Sequence, residues 1–258
     1  MPLSIFRGDV SPQADGTSSN YGLIANSLNE LKVASTTPDL HVLASNGEYF
    51  VAKTATPGTG VALITSLTSF ATTDTQPSAV LINGNAAGGN RIYLDYIKLI
   101  LTATQLPTTA TNIQIAVDVD SSPTRYTSGG TALTPVNVNM DSGNATKASV
   151  FFGATIVAVA GSVNRRVMWS DYVEPIVSTT PAAAAGDRFE VKFGGIERGA
   201  HAEIGTLVAG SPLNVKKVAA MGPPIIIGGQ QTMCVRIWGA GLAAAPTYEF
   251  ELGYWERY

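Results

Sequence analysis

The chain has 258 residues, of which 45% are hydrophobic and only 14% charged, with a formal net charge of −3 and a pI near 5.4. Its 16 Lys and Arg are scattered, apart from short pairs such as Arg165-Arg166 and Lys216-Lys217, so no basic stripe is available to follow a phosphate backbone and nucleic acid is excluded as an expected partner. No uninterrupted apolar run reaches the roughly 18 residues of a membrane span, which excludes a membrane partner on the same footing.

Residues 1–38 are expected to form an N-terminal arm with one short helix. The first 20 are rich in Ser, Gly, Asp, Gln and Pro and show no period, as extended or disordered segments do. They carry Phe6 and Arg7, the latter within an Arg7-Gly8-Asp9 triplet too short to indicate adhesion. From Tyr21 to Val33, the residues Leu23, Ile24, Leu28 and Leu31 fall near helical spacing, although Asn26, Ser27 and Asn29 are poor helix formers. The opening also lacks the charged leader and apolar run of a secretory signal, so synthesis in a cytoplasm is expected.

Residues 39–77 are expected to form a β-hairpin extension and linker. Asn46-Gly47 joins two short runs with residues that tolerate the positive φ of a type I′ turn, which predicts a hairpin of Leu40 to Ala44 with Glu48 to Lys53. A short strand follows at Val61 to Thr65. The stretch TSFATTDTQPS then reads as linker, with a boundary near Gln76.

Residues 78–258 read as strand after strand. Ala79 to Ile82 is short and apolar. Arg91 to Thr102 has two largely apolar faces, predicting a central strand covered on both sides. In Ile113 to Asp120, four apolar residues alternate with Gln114, Ala116, Asp118 and Asp120, as in a half-buried strand. Residues 121–145 make a long excursion expected to cover one sheet edge. Lys147 to Val159 is a further strand, Arg165 to Trp169 and Tyr172 to Ser178 a broken pair, and Phe189, Val191 and Phe193 alternate with charged residues. The last two runs, Met233-Val235-Ile237 and Tyr248-Phe250-Leu252-Tyr254, read as antiparallel neighbours, with Glu249 and Glu251 on a face that meets water or a partner. About eight strands, unequal loops and no helical crossovers predict an all-β jelly-roll β-sandwich.

Catalytic, cofactor and metal candidates are sparse. His41 and His201 stand 160 positions apart in sequence, and no nucleophile elbow or phosphate loop is present. The single cysteine, Cys234, lies inside a strand pattern as a packed thiol. Asp118 and Asp120 share one strand face about 7 Å apart, a spacing open to a glycosidase pair, to calcium, or to an ordinary solvent-facing strand. No catalytic, cofactor or metal residue is assigned. The aromatic residues Trp169, Tyr172, Trp238, Trp255 and Tyr258 lie at strand ends or beside loops, where rings cap a core, dock a partner or stack on sugar. Together with Phe6, Arg7 and Tyr21 of the arm they are the candidate interface.

Four stretches carry a resemblance: Ala55-Thr-Pro-Gly-Thr-Gly-Val-Ala after the predicted hairpin, Ile92-Tyr-Leu-Asp-Tyr-Ile-Lys-Leu, Arg125-Tyr-Thr-Ser-Gly-Gly-Thr-Ala-Leu-Thr-Pro-Val-Asn, and the run from Pro223-Pro-Ile-Ile-Ile-Gly-Gly to Tyr248-Glu-Phe-Glu-Leu-Gly-Tyr-Trp-Glu-Arg. Over residues 40–258 their order resembles virion structural proteins of tailed bacteriophages, jelly rolls that decorate or cement the capsid. The resemblance implies a non-enzymatic decoration or cement protein without cofactor. It would be assembled in the bacterial host cytoplasm onto the virion surface, with the major capsid protein and neighbouring copies of itself as partners, a homotrimer favoured, and the arm reaching a neighbour. A surface rich in Thr, Ser, Ala, Asn and Gly suits such packing. The same fold serves the alternative, a tail-associated receptor- or carbohydrate-binding module.

Overall fold

The computed structural model describes residues 24–25, 31–32, 40–63, 67–103, 113–174, 186, 188–194, 217–239 and 246–257. Contacts divide the chain into Met1–Val42 and Leu43–Tyr258. In chain order the described elements are β1 (Ile24–Ala25), β2 (Leu31–Lys32), α1 (Leu40–Ser45), β3 (Tyr49–Lys53), β4 (Val61–Ala62), a 3-10 turn (Ala71–Thr73), β5 (Ala79–Asn83), β6 (Arg91–Ala103), β7 (Ile113–Asp120), β8 (Tyr126–Ser128), β9 (Thr131–Leu133) and β10 (Val136–Asn137). They continue with β11 (Ala148–Phe152), β12 (Val157–Ala158), β13 (Arg166–Glu174), β14 (Arg188–Phe193), β15 (Lys217–Gly222), β16 (Ile225–Ile227), β17 (Thr232–Trp238) and β18 (Thr247–Arg257).

In Met1–Val42, β1 pairs antiparallel with β2, Ile24 opposite Lys32. The helix expected over Tyr21 to Val33 is thus replaced at these positions by a strand pair. Asn and Ser side chains compete with helical hydrogen bonding in general, and residues 26–30 lie outside the described residues.

The hairpin expected at Leu40 is also corrected. Leu40–Ser45 is a helix, and Asn46-Gly47 ends it. Gly47, at φ +69°, donates its N–H to Ala44 O and Glu48 donates to Leu43 O, both at 2.9 Å. This pair of bonds is a Schellman cap, which needs the same left-handed residue as a type I′ turn. The chain then enters β3.

Leu43–Tyr258 is built on two sheets whose apolar faces form one core. The larger runs β10-β3-β18-β6-β14-β15, with β4 also on β18 and β16 also on β6; the smaller runs β13-β7-β17-β5-β11-β9. Among the described residues, all pairings are antiparallel except β14 with β15. Phe50, Ile92, Ile97, Leu99, Phe189, Val191, Phe250 and Leu252 from the larger sheet share a cluster with Leu81, Ile115, Val117, Val150, Phe152, Met233 and Val235 from the smaller. Phe152 stacks on Phe250 across the interface, centroids 4.7 Å apart. The β-sandwich expected from alternation is present.

β17 and β18 do not lie side by side. They belong to opposite sheets and face each other across the core. Their inward residues show the same period, which does not distinguish neighbours from facing strands. The outward sets do: Cys234 and Arg236 are buried, whereas Glu249 and Glu251 are half-exposed. β3 and β4, read from sequence as parts of an extension, pair with β18 inside the larger sheet.

β6 is central, between β18 and β14, but it is not buried on both faces. Ile92, Leu94, Ile97, Leu99 and Leu101 point inward, while Tyr93, Tyr96, Lys98 and Ile100 are half-exposed. The phase changes at Asp95, because Tyr254 opposes Leu94 and Gly253 opposes Tyr96. That β-bulge leaves Asp95 unopposed and makes both faces look apolar in sequence. The excursion 121–145 reaches both sheets, β9 edging β11 and β10 edging β3. The broken pair near Arg165 is one strand, β13, with register shifts between Val167 and Trp169 and between Tyr172 and Glu174.

Candidate functional site: the outer face of the larger sheet

The side chains of the larger sheet that point away from the core form cross-strand rows. In the first, Tyr49 opposes Trp255, Trp255 opposes Tyr93, and Tyr93 opposes Ile226. Trp255 and Tyr93 lie face to face, centroids 3.8 Å apart and planes 3° apart. Both are half-exposed, and Ile226 is 43% exposed. The next row is Val51, Gly253, Tyr96 and Lys192; the third is Lys53, Glu251, Lys98 and Glu190. Aromatic area therefore lies at one end of the face and alternating charge beside it.

Five polar groups on this face bond to one another. Tyr49 donates its hydroxyl to Asp95 Oδ2 at 2.6 Å, Tyr96 donates to Glu251 Oε1 at 2.7 Å, and Lys98 Nζ reaches the same oxygen at 2.6 Å. Burial, then the hydrogen bond to Asp95, pushes the Tyr49 hydroxyl far above its ordinary range; burial and Glu251 do the same for Tyr96. Burial alone would raise Glu251, but the bonds from Lys98 and Tyr96 outweigh it and hold the carboxyl low. Gly253 makes room for this arrangement, since a Cβ there would lie 2.2 Å from Tyr96 Cε1 and 2.5 Å from the Tyr49 oxygen.

The expected interface residues divide between this face and the core. Trp255 stands on the face. Trp169 is half-buried against the main core, edge-on to Phe193 at 5.8 Å, and Trp238 is buried against Leu67, Ala116 and Phe70, where it caps packing. Tyr172 lies in β13 opposite Gln114. Phe6, Arg7, Tyr21 and Tyr258 lie outside the described residues. Sequence reasoning missed Tyr49, Tyr93 and Tyr96, whose shared face depends on the β6 bulge, and Ile226.

The Asp118 and Asp120 pair is corrected outright. These residues do not face water: they are 1% and 2% exposed. The segment read as linker lies over them, with Leu67, Phe70 and Thr73 against the outer side of β7 and β17. Three aspartates and three arginines interlock there. Arg236 donates to Asp118 Oδ2 from Nε at 3.1 Å and Nη2 at 2.9 Å, and donates from Nη1 to Thr73 O. Asp74 receives Arg165 Nη1, with Arg125 Nη2 at 3.4 Å and Arg236 Nη2 at 3.6 Å. Asp120 accepts from Ser162 N at 2.8 Å and Ser162 Oγ at 2.6 Å, with Arg125 Nε at 3.6 Å. The Phe70 ring lies beneath Arg165 and Arg236, 5.4 and 5.3 Å from their guanidinium carbons.

This cluster ties the 67–78 segment and the loops around Arg125 and Arg165 to the sheet. Burial pushes the Asp118 carboxyl up against the pull of Arg236. For Asp74 and Asp120 burial is outweighed, by the Gly161 N–H and the arginines at Asp74 and by Ser162 and Ser122 at Asp120, so both are held low. Carboxylates so enclosed and paired lack the open access to substrate that a hydrolytic acid–base pair uses.

Among the described residues no group of three His, Cys, Asp or Glu is placed to hold a metal ion. In comparisons with known proteins, no family model, no curated protein and no solved structure matches this chain.

Proposed function

We propose that the chain is a non-enzymatic structural protein of a tailed-phage virion, a jelly roll that docks on the capsid shell through the outer face of its larger sheet and stabilises the shell. The observation that carries this reading is the accessible part of the first row, Trp255, Tyr93 and Ile226, next to the buried Tyr49 and beside polar groups already bonded to one another. Covering such a face removes apolar area from water while Tyr49, Asp95, Tyr96, Lys98 and Glu251 keep the partners they already have, and aromatic side chains are enriched among the residues that dominate interface energetics. The resemblance over residues 40–258 supplies the partner, the major capsid protein.

The strand pairings support the jelly-roll reading. Eight strands, β3, β5, β6, β7, β13, β14, β17 and β18, pair first with last, second with seventh, third with sixth and fourth with fifth. They distribute as β3-β18-β6-β14 in one sheet and β13-β7-β17-β5 in the other. This is the nesting produced when a long antiparallel ribbon wraps into two sheets.

The test is cosedimentation with expanded capsids lacking the protein. Saturable binding is expected for the full chain, weaker binding for a chain starting near residue 21, and loss of binding for Tyr93→Ala with Trp255→Ala in a variant that keeps its thermal midpoint within a few degrees. No binding by the full chain overturns the reading. Sedimentation velocity tests the trimer.

A second reading is favoured by the Trp255–Tyr93 stack alone: partly exposed aromatic planes suit sugar recognition by a tail-associated module. Glycan binding by the isolated protein, abolished by Trp255→Ala, would select it.

A further inference from the structure

A cleft of about 440 Å³ opens at one end of the sandwich, lined by Gly47, Glu48, Phe50, Asn90, Asn144, Ala145, Glu256 and Arg257. Its walls meet because Glu256 N donates to Glu48 O at 2.9 Å, which sets two carboxylates on adjacent chain segments. Glu256 is 8% exposed and accepts from the Thr146 hydroxyl. Glu48 Oε2 and Asn90 Oδ1 are shielded from solvent yet have no hydrogen-bond partner among the described residues. An acceptor in that condition costs about 1–3 kcal/mol unless a donor reaches it.

The lining specifies the donor. The Asn144 amide nitrogen is engaged, donating to Asn46 O at 3.1 Å and Gly47 O at 3.4 Å, and the buried atoms of the lining left without a partner are both oxygens, Glu48 Oε2 and Asn90 Oδ1. Among the described residues of the lining, Arg257, exposed, is the single cation. An anion is therefore disfavoured. A bare metal ion is a poor fit as well: the lining holds two carboxylates where calcium takes six to eight oxygens, and the volume lies in the range of multi-atom ligands. Phe50, buried in the core beneath, offers an apolar wall. A planar fork of several N–H donors on an apolar stem satisfies separate acceptors and such a wall together.

We propose that this cleft binds an arginine-type guanidinium, with Glu48, Glu256 and Asn90 as its acceptors. The site uses different residues from the outer-face row, so it stands or falls independently of shell docking. The guanidinium belongs either to a free small molecule or to an arginine of a partner chain.

The test titrates acetyl-arginine amide into the full chain, read by calorimetry and by the side-chain amide signals of Asn90 and Asn144, with acetyl-citrulline amide as the uncharged isostere. Binding with a Kd on the order of 1 mM is expected for so small a ligand, with none for citrulline. Glu48→Gln should weaken it roughly tenfold and Asn90→Asp should tighten it, as charge-assisted bonds require, each at an unchanged thermal midpoint. An arginine-containing tripeptide that binds more tightly than acetyl-arginine amide identifies a partner chain as the source; equal affinity identifies a free ligand. Equal binding of citrulline, indifference of both variants, amide shifts caused by calcium but not by arginine, or no shift at all would each overturn the proposal.

Discussion

The Arg236 guanidinium, 0% exposed, grips Asp118 Oδ2 through two nitrogens, Nε at 3.1 Å and Nη2 at 2.9 Å. Removing one partner strands the other. Arg236→Met should therefore destabilise the fold by about 3–5 kcal/mol, the usual cost of an uncompensated buried charge. Asp118→Asn should cost less, and the double variant less than the sum of the singles. Urea unfolding of the four proteins measures the coupling; strict additivity would show that the pair does not act as a unit.

The pH response should separate two carboxyls. Asp120 is held below its ordinary value, so it contributes stability that is present above about pH 4 and lost as pH falls through its lowered native value. Glu256 goes the other way: burial raises it against hydrogen bonds from Thr146 and Asn85, so the native state holds that proton longer and stability falls as pH rises from about 4.5 through the raised value. Thermal midpoints at half-unit intervals from pH 3 to 7 should show a shallower acid loss in Asp120→Asn. In Glu256→Gln the decline above about pH 4.5 should disappear.

Gly253→Ala should destabilise by about 1–3 kcal/mol, the range for overpacking. The added methyl meets the ring of Tyr96 and the hydroxyl oxygen of Tyr49, and both hydroxyls are anchored, at Glu251 and Asp95. Tyr96→Phe, which frees one ring, should recover part of the loss. Chemical denaturation of the two variants and their combination gives the comparison.

Cys234 should be silent to thiol reagents in the native protein. It is 1% exposed, and burial, reinforced by the nearby Asp118, pushes its pKa up to about 11. Labelling by an aromatic disulfide at pH 8 should proceed at the rate of global unfolding and accelerate with urea. Fast labelling without denaturant would place the thiol at an accessible opening.

The sequence made the core legible because the core is periodic. Ile113 to Val119 and Tyr248 to Tyr254 alternate, and every apolar position in those patterns is buried. It concealed whatever depends on one residue or on a distant partner. Asn46-Gly47 suits a hairpin and a helix cap equally. Asp118 and Asp120 carry the alternation of a wetted strand, and only a segment some forty residues earlier, itself of loop-like composition, reveals that they are covered. The candidate face was visible in Glu249, Glu251 and Trp255; its other half lies on β6, beyond a change of phase that no fixed period follows.

That change of phase decides what the molecule can present. Tyr93 is an odd position and Tyr96 and Lys98 are even ones, yet all three stand on the same surface because Asp95 is skipped in the pairing with β18. On a regular strand with Tyr93 outward, Tyr96 and Lys98 would turn into the hydrocarbon interior while Ile97 and Leu99 came to the surface. A single uncounted residue thus joins an aromatic strip to a charged one, and the length of β6 at this point is as much a determinant of surface chemistry as any side chain upon it.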